Sequence, residues 1–167
     1  MLSPVPRDRI LLGKNLSVAP LGIGIGLVAL IVLQVSMPTD TSHFLGGVLQ
    51  LLSAYMLLCL IGNLMSILSP MRLKEGGLKA ANAKLRTILW QLLSLLLVPL
   101  VLSPLMLPSA AEFFLGRRDW ARHVPLYLLL QALGLVCVFL FYRWMLRRQG
   151  ELLQDREQHI LDVLTRD

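Results

Sequence analysis

Charge is scarce in this chain, and it is absent from four long stretches. Only 16% of the 167 residues are Asp, Glu, Lys or Arg, whereas soluble domains average about 25%. The hydrophobic fraction is 56%, which is more than a domain of this length can enclose, because small domains leave much of their surface in water. An ordinary soluble globular fold is therefore excluded, and a lipid bilayer is the solvent that remains.

Cysteine and metal-binding patterns are also scarce. Cys59 and Cys137 lie in apolar runs without His, Asp or Glu at ligand spacing, so we expect two small buried hydrophobes and neither a disulfide nor a zinc site. The histidines, His43, His123 and His159, are far apart, and no pair of them lies at metal-ligand spacing. A membrane-embedded enzyme is the least favoured class, and we expect no catalytic, metal-binding or cofactor-binding residues.

Nucleotide-binding motifs are not found. The sequence contains no GxxxxGK[ST], so we do not expect ATP binding through a Walker A loop. The run GIGIG at 22–26 lies inside an apolar stretch, which offers neither a preceding strand nor an aqueous phosphate for a dinucleotide-binding turn. Gly22 and Gly26 instead have the spacing that lets membrane helices approach closely, so they are helix-packing candidates; alternatively, they only loosen the helix.

The uncharged stretches are long enough to span a bilayer. They contain 19 to 25 residues each and cover 18–36, 44–68, 87–107 and 124–142. About 20 helical residues cross the hydrocarbon core, and the stretches lack the alternation of barrel strands. We therefore predict an all-α polytopic membrane protein with a segment 1–17, a four-helix transmembrane domain 18–142 and a helical tail 143–167. Gly150 is expected to interrupt the last helix.

Basic residues are distributed unequally between the two sides that these spans define. Thirteen of the 16 lie in segment 1–17, in the loop 69–86 and in the tail, whereas the other side has only Arg117, Arg118 and Arg122. Because cytoplasmic loops carry an excess of Lys and Arg, we expect both termini in the cytoplasm. Membrane orientation thus explains the net charge of +6, and nucleic acid is not an expected partner.

The predicted spans contain no Asp, Glu, Lys, Arg or His, which disfavours a proton-coupled transporter that works through buried carboxylates. Pro99 and Pro104 predict a bend near the end of the third span. Uncharged polar side chains either bond neighbouring helices or line a passage, and helix packing is the favoured interpretation. These residues are Gln34, Gln50, Tyr55, Asn63, Gln91, Ser94, Ser103 and Gln131.

Two segments outside the spans suit an interface. The external segment 108–123, PSAAEFFLGRRDWARH, interleaves Phe113, Phe114 and Trp120 with charged residues, which is typical of a short helix half-inserted in the membrane surface. An ordinary aromatic belt is the alternative. On the other side, segment 1–17 predicts a short helix running along the membrane surface and carrying Ile10, Leu11, Lys14 and Asn15.

The residues SPVPRDRILLGKNLS at 3–17, followed at once by a glycine-rich span, resemble the cytoplasmic coupling segment in permease subunits of ABC-2 type exporters. In that family the segment precedes the third of six spans and docks on the ATP-binding subunit. The later order of spans, basic cytoplasmic loop and amphipathic external segment fits the same register. The chain then corresponds to the last four of six spans, as a fragment, a truncated reading frame or a shortened relative.

The resemblance implies an export permease of the bacterial inner membrane that works with a separate ATP-binding subunit and a second permease copy or homologue. It implies an ATPase contact formed or flanked by Pro4, Arg7, Arg9, Leu12, Gly13, Lys14 and Asn15. The substrate stays open among lipids, peptides, antibiotics and polysaccharides. The alternative is a non-transporting membrane scaffold or assembly protein that recruits a partner through its tail and basic loop.

Overall fold

The computed structural model describes residues 7–68, 85–115 and 126–165. Within these ranges the chain forms five α-helices and no β-strand. In chain order they are α1 Arg7–Ser36, α2 Thr41–Leu68, α3 Leu85–Leu102, α4 Leu107–Leu115 and α5 Leu126–Thr165. A 3₁₀ turn, Ser103–Met106, joins α3 directly to α4.

Four helical stretches in the described ranges are long and apolar enough to cross a membrane: Arg7–Ser36, Thr41–Ile67, Leu95–Phe114 and Leu126–Gln154. The predicted fold class, an all-α protein with four helices of membrane-spanning length and polarity, is confirmed. Helical structure continues beyond the predicted end of the third span at 107, through the 3₁₀ turn into α4.

Helices α1 and α2 form an antiparallel pair. Gly22 of α1 lies against Tyr55 of α2, and one turn later Gly26 lies against Leu51. Each four-residue step forward along α1 is thus matched by four residues backward along α2. Small residues at such contacts let two backbones approach closely, which is a main source of helix association where lipid removes the hydrophobic driving force.

A short connection closes this pair of helices. The Gln34 amide nitrogen donates to the Thr39 carbonyl at 2.8 Å, and the Thr39 hydroxyl donates back to Gln34 Oε1 at 2.7 Å. At the start of α2, the backbone nitrogens of His43 and Phe44 both donate to the Asp40 carbonyl. The Gln34 side chain therefore stabilises the connection between α1 and α2.

Helix α2 is central: it contacts α1, α3 and α5, and its most extensive packing is with α5. The two run parallel, because Gln50 of α2 contacts Gln131 of α5 near the start of both helices and Leu60 contacts Gln149 further along both. Helix α1 is antiparallel to α5, since Asn15 meets Tyr142 and the earlier Asp8 meets the later Gly150.

Many apolar side chains of the described helices are exposed in the isolated chain. A buried apolar cluster exists where α1, α2 and α5 meet, and its members are Leu11, Leu60, Ile67, Tyr142 and Leu146. In contrast, Leu21 of α1 and Leu96 of α3 are 67% and 72% exposed. Exposed apolar surface on this scale is incompatible with water and suits contact with lipid.

The predicted separate helix in segment 1–17 is wrong. Helix α1 is continuous from Arg7 to Ser36 and passes through Ser17 without a break. Leu11 and Asn15 are buried among the other helices when α1 runs straight into the bundle, which a helix lying on the membrane surface would not allow. Pro20 lies inside the helix; membrane helices accommodate proline because local adjustments satisfy the freed carbonyl.

The predicted interruption at Gly150 is also wrong, because α5 continues to Thr165. Gly150 is buried, and a Cβ placed there would lie 2.9 Å from the backbone nitrogen of Asp8. The absence of a side chain at Gly150 therefore allows α5 to pack closely against the start of α1. Among the prolines, Pro99 lies within α3, whereas the helix type changes at the 3₁₀ turn that contains Pro104.

Replacing Gly150 by alanine should loosen the contact between α5 and α1. The added Cβ meets backbone atoms of Asp8, which cannot move aside without shifting α1. We expect the free energy of unfolding in mixed detergent micelles to fall by about 1–3 kcal/mol, the usual cost of overpacking. Gly134→Ala is the matched control, because Gly134 lies on the same helix and a Cβ there meets nothing within 4 Å. Equal losses in both variants would contradict the close approach.

Candidate functional site

The first turns of α1 have one face buried in the bundle and the rest exposed. Leu11 and Asn15, one turn apart, are buried. The exposed arc carries two cations, Arg9 and Lys14, and the apolar side chain of Leu12. The residues that resemble a coupling segment thus form a mixed basic and apolar surface on a transmembrane helix.

Asn15 joins three helices at one point. Its Nδ2 donates to the hydroxyl of Tyr142 on α5 at 2.7 Å, in a buried position. Its backbone carbonyl accepts a hydrogen bond from the hydroxyl of Tyr55 on α2 at 2.5 Å. A carbonyl has two lone pairs, so it can accept this bond without giving up its place in the α1 ladder. Asn15, Tyr55 and Tyr142 form what we call the Asn15 junction.

The Asn15 junction fixes the start of α1 to two other helices. Gly150 adds a second contact about two turns away, where the α5 backbone packs against Asp8. A displacement of the exposed arc would therefore move α2 and α5 together with α1. Rigid-body shifts of packed helices are one of the ways in which proteins transmit a conformational change.

Beyond the junction, the α2–α5 interface contains polar groups that are only partly satisfied. The Gln149 amide nitrogen donates to the Leu60 carbonyl at 2.8 Å, and this side chain is fully buried. Among the described residues, Gln149 Oε1 and the Nδ2 of buried Asn63 have no hydrogen-bond partner. An unpaired buried polar group costs about 1–3 kcal/mol. In the described part of the chain, Asn63 and Gln149 thus leave one buried donor and one buried acceptor without a hydrogen bond.

Near the start of α2 and α5, five polar side chains form what we call the His43 cluster: His43, Gln50, Glu112, Tyr127 and Gln131. Gln50 Oε1 accepts from the Tyr127 hydroxyl at 2.9 Å and from Gln131 Nε2 at 3.3 Å. Gln131 is 1% exposed, and its Nε2 lies 3.4 Å from the Leu105 carbonyl in the 3₁₀ turn. The cluster therefore connects α2, α5 and the turn before α4.

The outer part of this cluster reaches α4. The His43 ring stacks on Tyr127 with centroids 5.1 Å apart, and its Nε2 lies 3.4 Å from Glu112 Oε1. Both members of this pair are more than a third exposed, so water screens their attraction and its contribution to stability is small. Gly46 lies under the Tyr127 ring, where a Cβ would clash. The arrangement is a polar clamp between helices.

The structure separates the predicted ATPase-contact residues into two groups. Exposed positions are Arg9, Leu12, Gly13 and Lys14, whereas Arg7 is half-buried. Asn15 is buried and bonded inside the bundle, so it positions the exposed arc and does not belong to it. Pro4 lies outside the described residues.

The other predicted residues also have defined places. Gly22 and Gly26 lie on the face of α1 that contacts α2. Phe113 and Phe114 are exposed in α4, with edge-to-face rings 5.6 Å apart. Trp120 lies outside the described residues.

Of the polar residues predicted in the spans, several bond across elements: Gln34, Gln50, Tyr55 and Gln131. Ser103 bonds only within its own turn, to the Leu100 carbonyl. The structure does not describe the side chains of Gln91 and Ser94. The sequence alone does not identify His43, Glu112 and Tyr127 as members of one cluster, because no local pattern connects residues on three separate elements.

A double-mutant cycle on Asn15→Ala and Tyr142→Phe should measure the Asn15 junction. Each single change leaves a buried polar group unpaired, whereas the double change removes both partners. We expect a coupling energy of about 1 kcal/mol, within the range of hydrogen bonds between membrane helices, from unfolding in mixed micelles. Ser17→Ala is the control, since its hydroxyl bonds only the Lys14 carbonyl. If the losses of stability in the two single variants simply add up in the double variant, the hydrogen bond between Asn15 and Tyr142 is contradicted.

Comparison with known proteins gives no relative from which a function could be transferred: no family model, curated protein or solved structure matches the chain.

Proposed function

We propose that this chain is a permease-like membrane subunit of an ABC-2 type export system and works with a separate ATP-binding subunit. The observation that carries the proposal is the position of the coupling-like residues. They form an exposed basic and apolar arc that continues without a break into a transmembrane helix. The Asn15 junction then connects this arc to α2 and α5.

The arc suits a protein partner of defined chemistry. Ile10 and Leu12 are exposed beside the cations Arg9 and Lys14. A complementary surface would combine acidic side chains with a shallow apolar site, because opposite charges guide docking while apolar contacts exclude water. An ATP-binding subunit that moves during its cycle could then displace α1 as a rigid body.

The remaining parts of the proposal concern the membrane and the assembly. The charge asymmetry supports an orientation with both termini in the cytoplasm, and the resemblance to the export permeases implies a bacterial inner membrane. A second permease copy or a homologue would complete the transporter, and the exposed apolar surfaces of α1 and α3 face either that copy or lipid. The four helices of spanning length support membrane integration itself.

Reporter fusions test the orientation. A fluorescent protein fused after Asp167 should be fluorescent, and alkaline phosphatase at the same position should be inactive, because the proposed tail stays in the cytoplasm. Alkaline phosphatase inserted after Thr39, in the connection between α1 and α2, should be active and provides the internal control. The reverse pattern of activities would contradict the proposed orientation.

Charge reversal on the arc tests the ATPase contact. We expect a tagged chain, purified in mild detergent from its native membrane, to bring with it a Walker A-containing ATPase at near-stoichiometric yield. Arg9→Glu with Lys14→Glu should lower that yield at least tenfold, since both cations would become repulsive. Quantitative mass spectrometry gives the yield, and extraction with carbonate confirms membrane insertion.

The matched control reverses two exposed arginines on α5, Arg143→Glu with Arg147→Glu. This control makes the same change in net charge near the same end of α1, and it should retain the ATPase. Equal loss in both double variants would show an effect of net charge and contradict a contact at the arc. A wild-type chain that recovers no ATPase would favour the alternative of a membrane scaffold.

A further inference from the structure

Arginines surround a tryptophan on the exposed side of α5. Arg143, Arg147 and Arg148 are all exposed, and Trp144 is 55% exposed. The Arg148 guanidinium carbon lies 5.9 Å from the centroid of the Trp144 ring, within the distance of a cation–π interaction. We call these four residues the α5 arginine cluster.

The order of residues along α5 gives the depth of this cluster. The exposed residues before it are apolar, among them Val136, Leu140 and Phe141, whose ring is 6.0 Å from that of Trp144. At about 1.5 Å per residue, the change from Leu140 to Arg147 takes about 10 Å, slightly more than the headgroup layer of one leaflet, which is about 5–8 Å thick. Trp144 therefore lies at the level of the headgroups, where tryptophan is enriched.

Helix α1 brings further cations to the same depth. Asn15 lies opposite Tyr142, and Asp8 lies opposite Gly150. Because the helices are antiparallel, Lys14 is about level with Trp144 and Arg9 about level with Arg148. Two independent helices thus change from apolar to basic at one level, which is the arrangement that a layer of phosphate groups favours.

The charges of the cluster are available to a ligand. Arg148 is paired with Glu151 at 3.2 Å, but both side chains are well exposed. Within the described part of the chain, neither Arg143 nor Arg147 has an acidic partner. Arginine binds phosphate well because its planar guanidinium can donate two parallel hydrogen bonds.

We propose that the α5 arginine cluster is a binding site for the headgroup of an anionic phospholipid, such as phosphatidylglycerol. Arg143 and Arg147 bind the phosphate, while Trp144 and Phe141 lie against the glycerol and the upper acyl chains. This site does not depend on the proposed transport function. It predicts that anionic lipid is enriched beside Trp144 relative to phosphatidylcholine.

Quenching of tryptophan fluorescence by brominated lipid measures this enrichment directly. Trp90→Phe with Trp120→Phe leaves Trp144 as the only tryptophan of the full chain. In vesicles that mix brominated and unbrominated lipids, we expect phosphatidylglycerol to associate at least fivefold more strongly than phosphatidylcholine, about the contribution of one cation near an anionic surface. The preference should decline with added salt.

Two variants distinguish a site from a general surface potential. Arg143→Gln with Arg147→Gln should bring the relative association constant close to one, whereas Arg9→Gln with Lys14→Gln removes two cations at the same depth on another helix and should preserve it. Circular dichroism verifies that each variant stays helical. Equal quenching by both lipids in the parent protein would overturn the proposal, and so would equal losses in the two double variants.

Discussion

The bond between Asn15 and Tyr142 determines how three membrane helices meet. In hydrocarbon, a polar side chain gains most from a partner on another helix, and the same residue offers its carbonyl to Tyr55. This one position therefore links α1 to both α2 and α5. The small apolar cluster around Leu11 and Leu146 packs about that point, since lipid leaves little other force to draw helices together.

Polar contacts at both ends hold the parallel α2–α5 pair. The His43 cluster fixes the start of the two helices, and Gln149 bonds the Leu60 carbonyl further along. Between the His43 cluster and the Asn15 junction, α2 packs against both α1 and α5. The proposed coupling to an ATPase requires this bundle to move by shifts of whole helices.

The fold class could be predicted from the sequence, because an apolar stretch of about 20 residues without charge directly indicates a membrane-spanning helix. The site could be predicted only in part. Asn15 looked like a surface residue of a short helix, since its partner Tyr142 is remote in the chain. Gly150 looked like a helix breaker because local propensity cannot reveal the backbone of Asp8 beside it. Likewise, no pattern connected His43 to Glu112; three-dimensional proximity alone joins them.

The antiparallel direction of α1 and α2 has an electrostatic consequence. Each helix carries a partial positive charge at its amino end, from backbone N–H groups without helical partners, and a partial negative charge at its carboxyl end. The short connection places the carboxyl end of α1, at Ser36, beside the amino end of α2, at Thr41, so these two partial charges largely cancel. Glu112 approaches this amino end through His43, in the first turn of α2. The peptide groups of the pair thus add little net charge to this face of the protein, and charged side chains such as Glu112 determine its electrostatic character.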